Sequence, residues 1–270
     1  MRSFKEAARA ITPPLVWSSF RTLWNAAWGR RVVPSVHRYF GLQDLDKKLE
    51  KYLDFDGGFF IEIGGWDGTT FSNSLYFERY RNWRGVLIEP SPSEYLKCRR
   101  DRPEAKVFCF ACVPFDYPDK YVPMIYCASM TVSNVRGSDG VGLDPIEHVR
   151  DGRKFLAPGE DVYEFGAVAK PLSSILTENQ INDSIDLLVL DVEGYELAVL
   201  QGLDFKLHGP LYICVEAWEL EKIQEFLRSK GYDLVEQLSK HDYLFRLAEA
   251  NERFADRRRG IRHGKEGGGS

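Results

Sequence analysis

Four short apolar runs in this chain each carry a carboxylate at the end, and that pattern constrains the fold more than any other feature. They are Phe59-Phe60-Ile61-Glu62-Ile63, Val86-Leu87-Ile88-Glu89, Leu187-Leu188-Val189-Leu190-Asp191 and Tyr212-Ile213-Cys214-Val215-Glu216. Runs this apolar, with little alternation, read as strands buried on both faces, as in a parallel sheet covered by helices. Helix-start chemistry lies between them. Thr69 to Glu78 offers Thr and Ser caps, and Pro92 sits in the first turn of a helix reaching Arg102. Further helices are predicted at 44–53, from Pro171, over Val192–Gly202 and over Glu219–Lys230. A strand over Lys106–Val113 and a closing strand pair over 232–237 and 243–247 complete the set. Strand–helix alternation of this kind makes an α/β sheet.

In an open parallel sheet the carboxyl ends of the strands share one edge, where ligands bind. Glu62, Glu89, Asp191 and Glu216 are therefore predicted to converge on one crevice. Four carboxylates in one place repel one another unless something cationic joins them. A positively charged ligand or a divalent metal is expected there. Gly64, Gly65 and Gly68 follow the first run, where their missing Cβ atoms allow a sharp turn and a close approach to a ligand.

Charge is spread unevenly along the chain. Residues 1–40 hold seven Arg and Lys against Glu6 alone, and the tail from Ala248 holds six against four acids. With a net charge of −4 overall, the middle is strongly acidic. An acidic core argues against nucleic acid as a partner. Three segments follow: a basic, Trp-rich helical arm over 1–43, a main domain over 44–247, and a basic tail over 248–270 predicted to be disordered. Within the arm, Trp17, Phe20, Trp24 and Trp28 recur at helical spacing between arginines. That is the pattern of an interfacial helix, and it predicts peripheral contact with a membrane through residues 11–40. Packing of this helix on its own domain or on a second copy is the alternative.

No stretch is apolar and long enough to span a membrane, and a signal-peptide pattern is absent. The expected location is the cytoplasm, at the inner face of the membrane. The five cysteines are scattered, and Cys109 and Cys112 lie inside an apolar run. They read as buried core thiols of a reducing compartment rather than a zinc knuckle. Pro114–Lys170 is the least regular part, and it reads as an insertion forming a substrate loop or lid.

Two longer motifs carry a resemblance. Glu62-Ile63-Gly64-Gly65-Trp66-Asp67-Gly68 is similar to the E/D-x-G-x-x-x-G first motif of Rossmann-like S-adenosylmethionine-dependent methyltransferases. It differs from the G-x-G-x-x-G of nicotinamide enzymes. Gly85 to Pro92, and Asp191-Val192-Glu193-Gly194-Tyr195-Glu196 followed by Leu200-Gln201-Gly202, resemble the FkbM methyltransferase family. The resemblance runs from Phe59 to Phe245, is poor over 114–170, and leaves out the arm and tail.

It implies a class I methyltransferase fold: a central, mostly parallel seven-stranded sheet with helices on both faces. It also implies S-adenosylmethionine as cofactor, with Glu62, Gly64 and Gly68 cradling the amino acid part and Glu62 facing its cationic amino group. Glu89 would hold the ribose, Ala111 and Cys112 would flank the adenine, and Asp191 would line the methionine end. Gly65, Asp67, Ser72 and Pro90 complete the implied cofactor set, with Trp66 and Asp67 open between ligand contact and loop packing.

The acceptor implied is a hydroxyl of a sugar, glycan or related natural product. Its weakly acidic proton calls for a general base or a metal. Asp191 and Glu193 are the candidate catalytic acids, and with Glu216 they offer oxygen ligands for Mg²⁺. His148, in the insertion, is the rival base. Glu193 and Glu196 alternatively only cap the helix they begin. A non-catalytic adaptor, a methyltransferase of proteins or small molecules, and a homo-oligomer all stay open.

Overall fold

The computed structural model describes residues 38–134 and 145–249. The predicted interfacial helix with its membrane contact, and the predicted disordered tail, fall on residues outside these. Residues from Tyr39 onward form one compact unit, so Tyr39, Phe40 and Leu42 already belong to the domain expected from 44.

A 3₁₀ turn over Leu42–Asp44 leads into α1 (Leu45–Glu50), and β1 (Phe59–Ile63) follows. Next come α2 (Leu75–Tyr80), β2 (Arg84–Ile88), α3 (Pro92–Asp101) and β3 (Lys106–Phe108). A second group holds β4 (Ala111–Cys112), β5 (Tyr121–Tyr126), β6 (Val132–Ser133), α4 (Pro145–Gly152) and β7 (Tyr163–Lys170). The chain then returns through α5 (Leu172–Glu178), β8 (Leu187–Leu190), α6 (Glu196–Gln201), α7 (Phe205–His208), β9 (Tyr212–Glu216), α8 (Leu220–Ser229), β10 (Tyr232–Gln237) and β11 (Asp242–Leu247).

Seven strands form the main sheet in the order β10-β11-β9-β8-β1-β2-β3. Only β11 runs against the others, since it pairs antiparallel with both β9 and β10 while the remaining pairs are parallel. The expected fold is present: an α/β sheet, mostly parallel, covered on both faces. Alternation along β1 shows why. Phe59, Ile61 and Ile63 pack with helix residues Ile175, Val199 and Leu227. Phe60 faces the other way and packs with Leu49, Phe77 and Cys98. Burying both faces requires the near-continuous apolar runs seen in the sequence.

The insertion is not an open loop. It carries a second sheet of order β4-β7-β5-β6, with α4 beside it. The single strand expected over Lys106–Val113 is two: β3 pairs with β2, whereas β4 leaves to pair with β7. All five cysteines are free; Cys98, Cys112, Cys127 and Cys214 are buried as expected, while Cys109 is only half-buried. Among the described residues no helix is long and apolar enough to cross a membrane.

Candidate active site

The loop after β1 is shaped by one buried cluster. Glu62 Oε2 accepts from Ser72 Oγ at 2.8 Å and Ser74 Oγ at 2.6 Å, and Oε1 accepts from the Asn73 amide at 2.8 Å. Arg102, with no exposed surface, places Nη1 3.7 Å from Glu62 and Nη2 2.9 Å from Glu78. Its guanidinium also donates to the Gly68 carbonyl and to Ser72 and Ser74. The charge of Glu62, expected to meet the cofactor's amino group, is thus already paired inside the protein. The carboxylate borders the cavity, but its hydrogen-bonding capacity is directed into the loop.

The turn itself needs glycine at Gly64. Its φ is +86°, and a Cβ there would fall on the Asp191 carbonyl oxygen. Gly68, also at positive φ, packs against Cys98 and Arg102 of the next layer. Asp67 is turned into its own loop, accepting from Thr69 N and Thr70 N at 2.7 Å each. It closes an Asx-type turn.

A cavity of about 400 Å³ opens at the carboxyl edge of the sheet, within the usual range for ligand sites. It brings together Glu62, Gly64, Gly65, Ser72, Glu89, Pro90, Asp191, Glu193 and Glu216 from the predicted set. Asp67, Gly68, Ala111, Cys112 and His148 are absent from its lining. Ala111 and Cys112 depart from expectation because β4 carries them into the second sheet, where they are buried against β7. Strain concentrates around the cavity. Of eight non-glycine residues with positive φ among the described residues, Gln43, Trp66, Phe71, Ala128 and Glu193 line it. Each such residue stores energy that the surrounding packing must hold.

Glu89 is buried on the β2 side of the crevice. Its two oxygens accept from Trp66 N at 3.0 Å and Ser91 N at 2.8 Å. Burial outweighs these bonds and pushes its carboxyl up to about 8, with Glu94 adding repulsion. On the other side, Asp191, Glu193 and Glu216 each offer an oxygen, and these atoms all lie within 4.8 Å of one another. Desolvation is the first cause of the raised Asp191 pKa, followed by repulsion from Glu216 and Glu193. Asp191 presents part of its surface to the cavity, so cavity water tempers that rise. Glu216 is pushed up to about 8 by desolvation and then by Glu193 and Glu196, with the Trp218 indole partly offsetting the rise. Glu196 stands apart from the trio. It accepts from Val192 N and Gly194 N at 3.1 Å each, and so fixes the loop that projects Glu193.

His148 is buried on α4, and its Nε2 lies 3.0 Å from Glu193 Oε2. The two are not aligned for a regular hydrogen bond, and the contact is a close approach of the ring to the carboxylate. His148 stands behind Glu193 and does not reach the cavity. Trp66, left open between ligand contact and loop packing, lines the cavity, as do Phe71, Met130, Phe155, Trp218 and His241, which the sequence did not single out. For Trp218 the sole signal was its place two residues beyond a strand-end acid.

The strand order, the single reversed strand and the acidic cavity at the carboxyl edge define a Rossmann-like class I fold of the S-adenosylmethionine-dependent methyltransferases. Residues 62–244 match the family described as Methyltransferase FkbM domain. The chain belongs to the FkbM family. No curated protein matches the sequence. Solved structures of similar fold include a SAM-dependent methyltransferase from Aquifex aeolicus, 10% identical with a TM-score of 0.41, covering 84% of this chain and 95% of that one. A methyltransferase from Geobacter sulfurreducens is 12% identical with a TM-score of 0.39, covering 90% and 94%. One from Thiobacillus denitrificans, in complex with S-adenosyl-L-homocysteine, is 11% identical with a TM-score of 0.33, covering 83% and 73%. These are loose likenesses of shape, and membership of the family rests on the sequence match.

Proposed function

We propose that this protein methylates a hydroxyl oxygen of a saccharide or related natural product, using S-adenosylmethionine. The observation that carries this reading is the carboxylate trio of Asp191, Glu193 and Glu216 at the ends of β8 and β9. A hydroxyl must lose its proton as it is methylated, and a base works best when its pKa lies near the working pH. Glu216, at about 8, meets that requirement, and desolvation and the neighbouring carboxylates move Asp191 in the same direction.

Features of the cavity suit the cofactor. Its acidic lining favours a ligand carrying positive charge. Trp66 Nε1 and Asn73 Oδ1, both buried at its wall, have no hydrogen-bond partner among the described residues. When bound, S-adenosylmethionine supplies a methyl group already activated on a positive sulfonium. Glu89, pinned by two backbone N–H groups, keeps lone pairs for the ribose hydroxyls. The Gly64 turn leaves room for the methionine end beside Asp191. The acceptor's proton passes to a carboxylate of the trio.

The same three side chains would hold Mg²⁺: all three donors are hard oxygens, the kind this ion takes, and they lie within 4.8 Å of one another. When bound, the ion would lower the pKa of the acceptor hydroxyl. In the same reading, residues 11–40 dock the domain at the inner face of a membrane. Liposome flotation of the full chain against one lacking residues 1–40 tests that arm.

Calorimetry with S-adenosylmethionine, S-adenosylhomocysteine and NAD tests the cofactor. Binding of the two adenosyl ligands and not NAD is expected, and failure of both rejects the reading. Labelled methyl transfer to a panel of glycosides, with and without EDTA, tests the acceptor and the ion. Adenosyl binding with no transfer to any glycoside, phenol, protein or lipid would instead favour a non-catalytic adaptor.

A further inference from the structure

The sheet places an aromatic platform beside the carboxylate trio. Trp218 follows β9 two residues after Glu216, and His241 sits in the turn between β10 and β11. The two rings stack with centroids 4.1 Å apart and planes 25° apart. Trp218 is 41% exposed although it lines the cavity, so part of the indole remains open for a ligand. Large aromatic surface normally goes to the core, and an exposed ring braced by a second ring at a cavity wall is a contact surface.

The strand order separates this platform from the adenosine. Glu89 and Pro90, the candidate ribose side, stand at the end of β2, three strands away from β9 in the order β9-β8-β1-β2. Trp218 and His241 lie on the opposite flank, beyond Asp191. A ligand stacked there sits on the acceptor side, with the carboxylates next to its edge.

We infer that Trp218, braced by His241, is the acceptor subsite, and that it takes a pyranose ring lying flat on the indole. This rests on the hydroxyl-methylating reading above. A pyranose has an apolar face of axial C–H groups and a polar rim of hydroxyls. The platform presents the same division: an open indole face, with Glu216 on one side and Lys240 on the cavity rim. Stacking on Trp218 turns one rim hydroxyl toward the trio that accepts its proton. Contacts from C–H groups to an aromatic face are individually weak. A ring face makes several such contacts at once, so losing the indole should cost about tenfold in affinity.

The test uses the full chain saturated with S-adenosylhomocysteine and four probes: methyl β-D-glucopyranoside, methyl α-L-rhamnopyranoside, p-cresol and 1-octanol. Saturation-transfer NMR reads which ring protons touch the protein. For at least one glycoside, the expected result is transfer to its axial protons, retained in Trp218→Phe and reduced about tenfold or more in Trp218→Ala. The S-adenosylhomocysteine affinity of all three proteins should stay the same, which also shows that the variants are folded. Glycoside contact unaffected by Trp218→Ala, no glycoside contact with the nucleoside still bound, or stronger contact from p-cresol or octanol each overturns the inference. Failure to bind S-adenosylhomocysteine at all strikes the underlying reading instead.

Discussion

Arg102 and Glu62 form a buried ion pair beneath the loop that follows β1, with Nη1 3.7 Å from Oε2 and the arginine wholly enclosed. The guanidinium also joins Glu78, Ser72, Ser74 and the Gly68 carbonyl. One side chain therefore ties α3 to the residues that end β1 and start α2. Removing one partner of a buried pair strands the other charge, a loss of about 3–5 kcal/mol. Arg102→Ala should lower unfolding stability by that amount in denaturant titration. Because the partners share one network, Arg102→Ala with Glu62→Ala should cost less than the sum of the two. Strict additivity would show that the pair is not coupled.

Gly64 leaves the least room for a side chain of the three glycines in the loop after β1. Its left-handed φ of +86° and the Asp191 carbonyl facing it leave no space for a methyl group. Gly64→Ala must therefore push β1 and β8 apart at the crevice. The expected outcome is loss of S-adenosylhomocysteine binding by calorimetry. Gly57→Ala, at a similar φ of +78° but with nothing within 4 Å, serves as the control. It should pay only the backbone strain of about 1–2 kcal/mol and still bind.

Much of this architecture was legible because the apolar runs have a physical cause. A strand covered on both faces cannot alternate, so Leu187–Leu190 and Tyr212–Glu216 announce themselves. Convergence of Asp191, Glu193 and Glu216 followed from strand-end placement alone. The run from Lys106 to Val113 was misread because two strands in different sheets, joined without a polar break, look like one. The partner that draws Ala111 and Cys112 away is Ala169 and Lys170, far along the chain and invisible to local pattern. Asp67 was ambiguous for a different reason. Asp-Gly-Thr-Thr is itself a turn signature, and inside a ligand motif that local role competes with a contact role. Arg102 sits in the charged run Lys97-Cys98-Arg99-Arg100-Asp101-Arg102, which reads as a solvated helix end, and only packing reveals that its last member turns inward.

Removing a carboxylate of the trio should separate chemistry from cofactor binding. Glu193→Gln keeps the shape of the side chain and deletes the charge that approaches Asp191 and Glu216. Loss of a general base typically lowers turnover about 10²–10⁴-fold. The expectation is a fall of that order in kcat for glycoside methylation, with S-adenosylhomocysteine affinity unchanged. Loss of nucleoside binding in step with kcat would place Glu193 in cofactor binding instead.

Glu216 links the site to a pH dependence whose direction follows from its surroundings. Desolvation and the facing carboxylates raise its pKa from 4.5 to about 8 in the folded protein. Between those values the folded state holds a proton that the unfolded chain has released. The folded state therefore binds more protons, and stability falls as pH rises through this window. Below about 4.5 both states are protonated and Glu216 adds no slope. Glu216→Gln removes the contribution, so the Tm of the variant relative to the native protein should rise steadily from about pH 5 to about pH 8. A divalent cation seated on the trio opposes the same repulsion and binds the deprotonated form best. Mg²⁺ should therefore raise the Tm of the native protein more at the alkaline end of that range than at the acidic end, and should do so less in Glu216→Gln. A Tm difference flat across the window would mean that Glu216 titrates as an ordinary surface carboxylate, and the trio would lose its claim to be a site for a base or an ion.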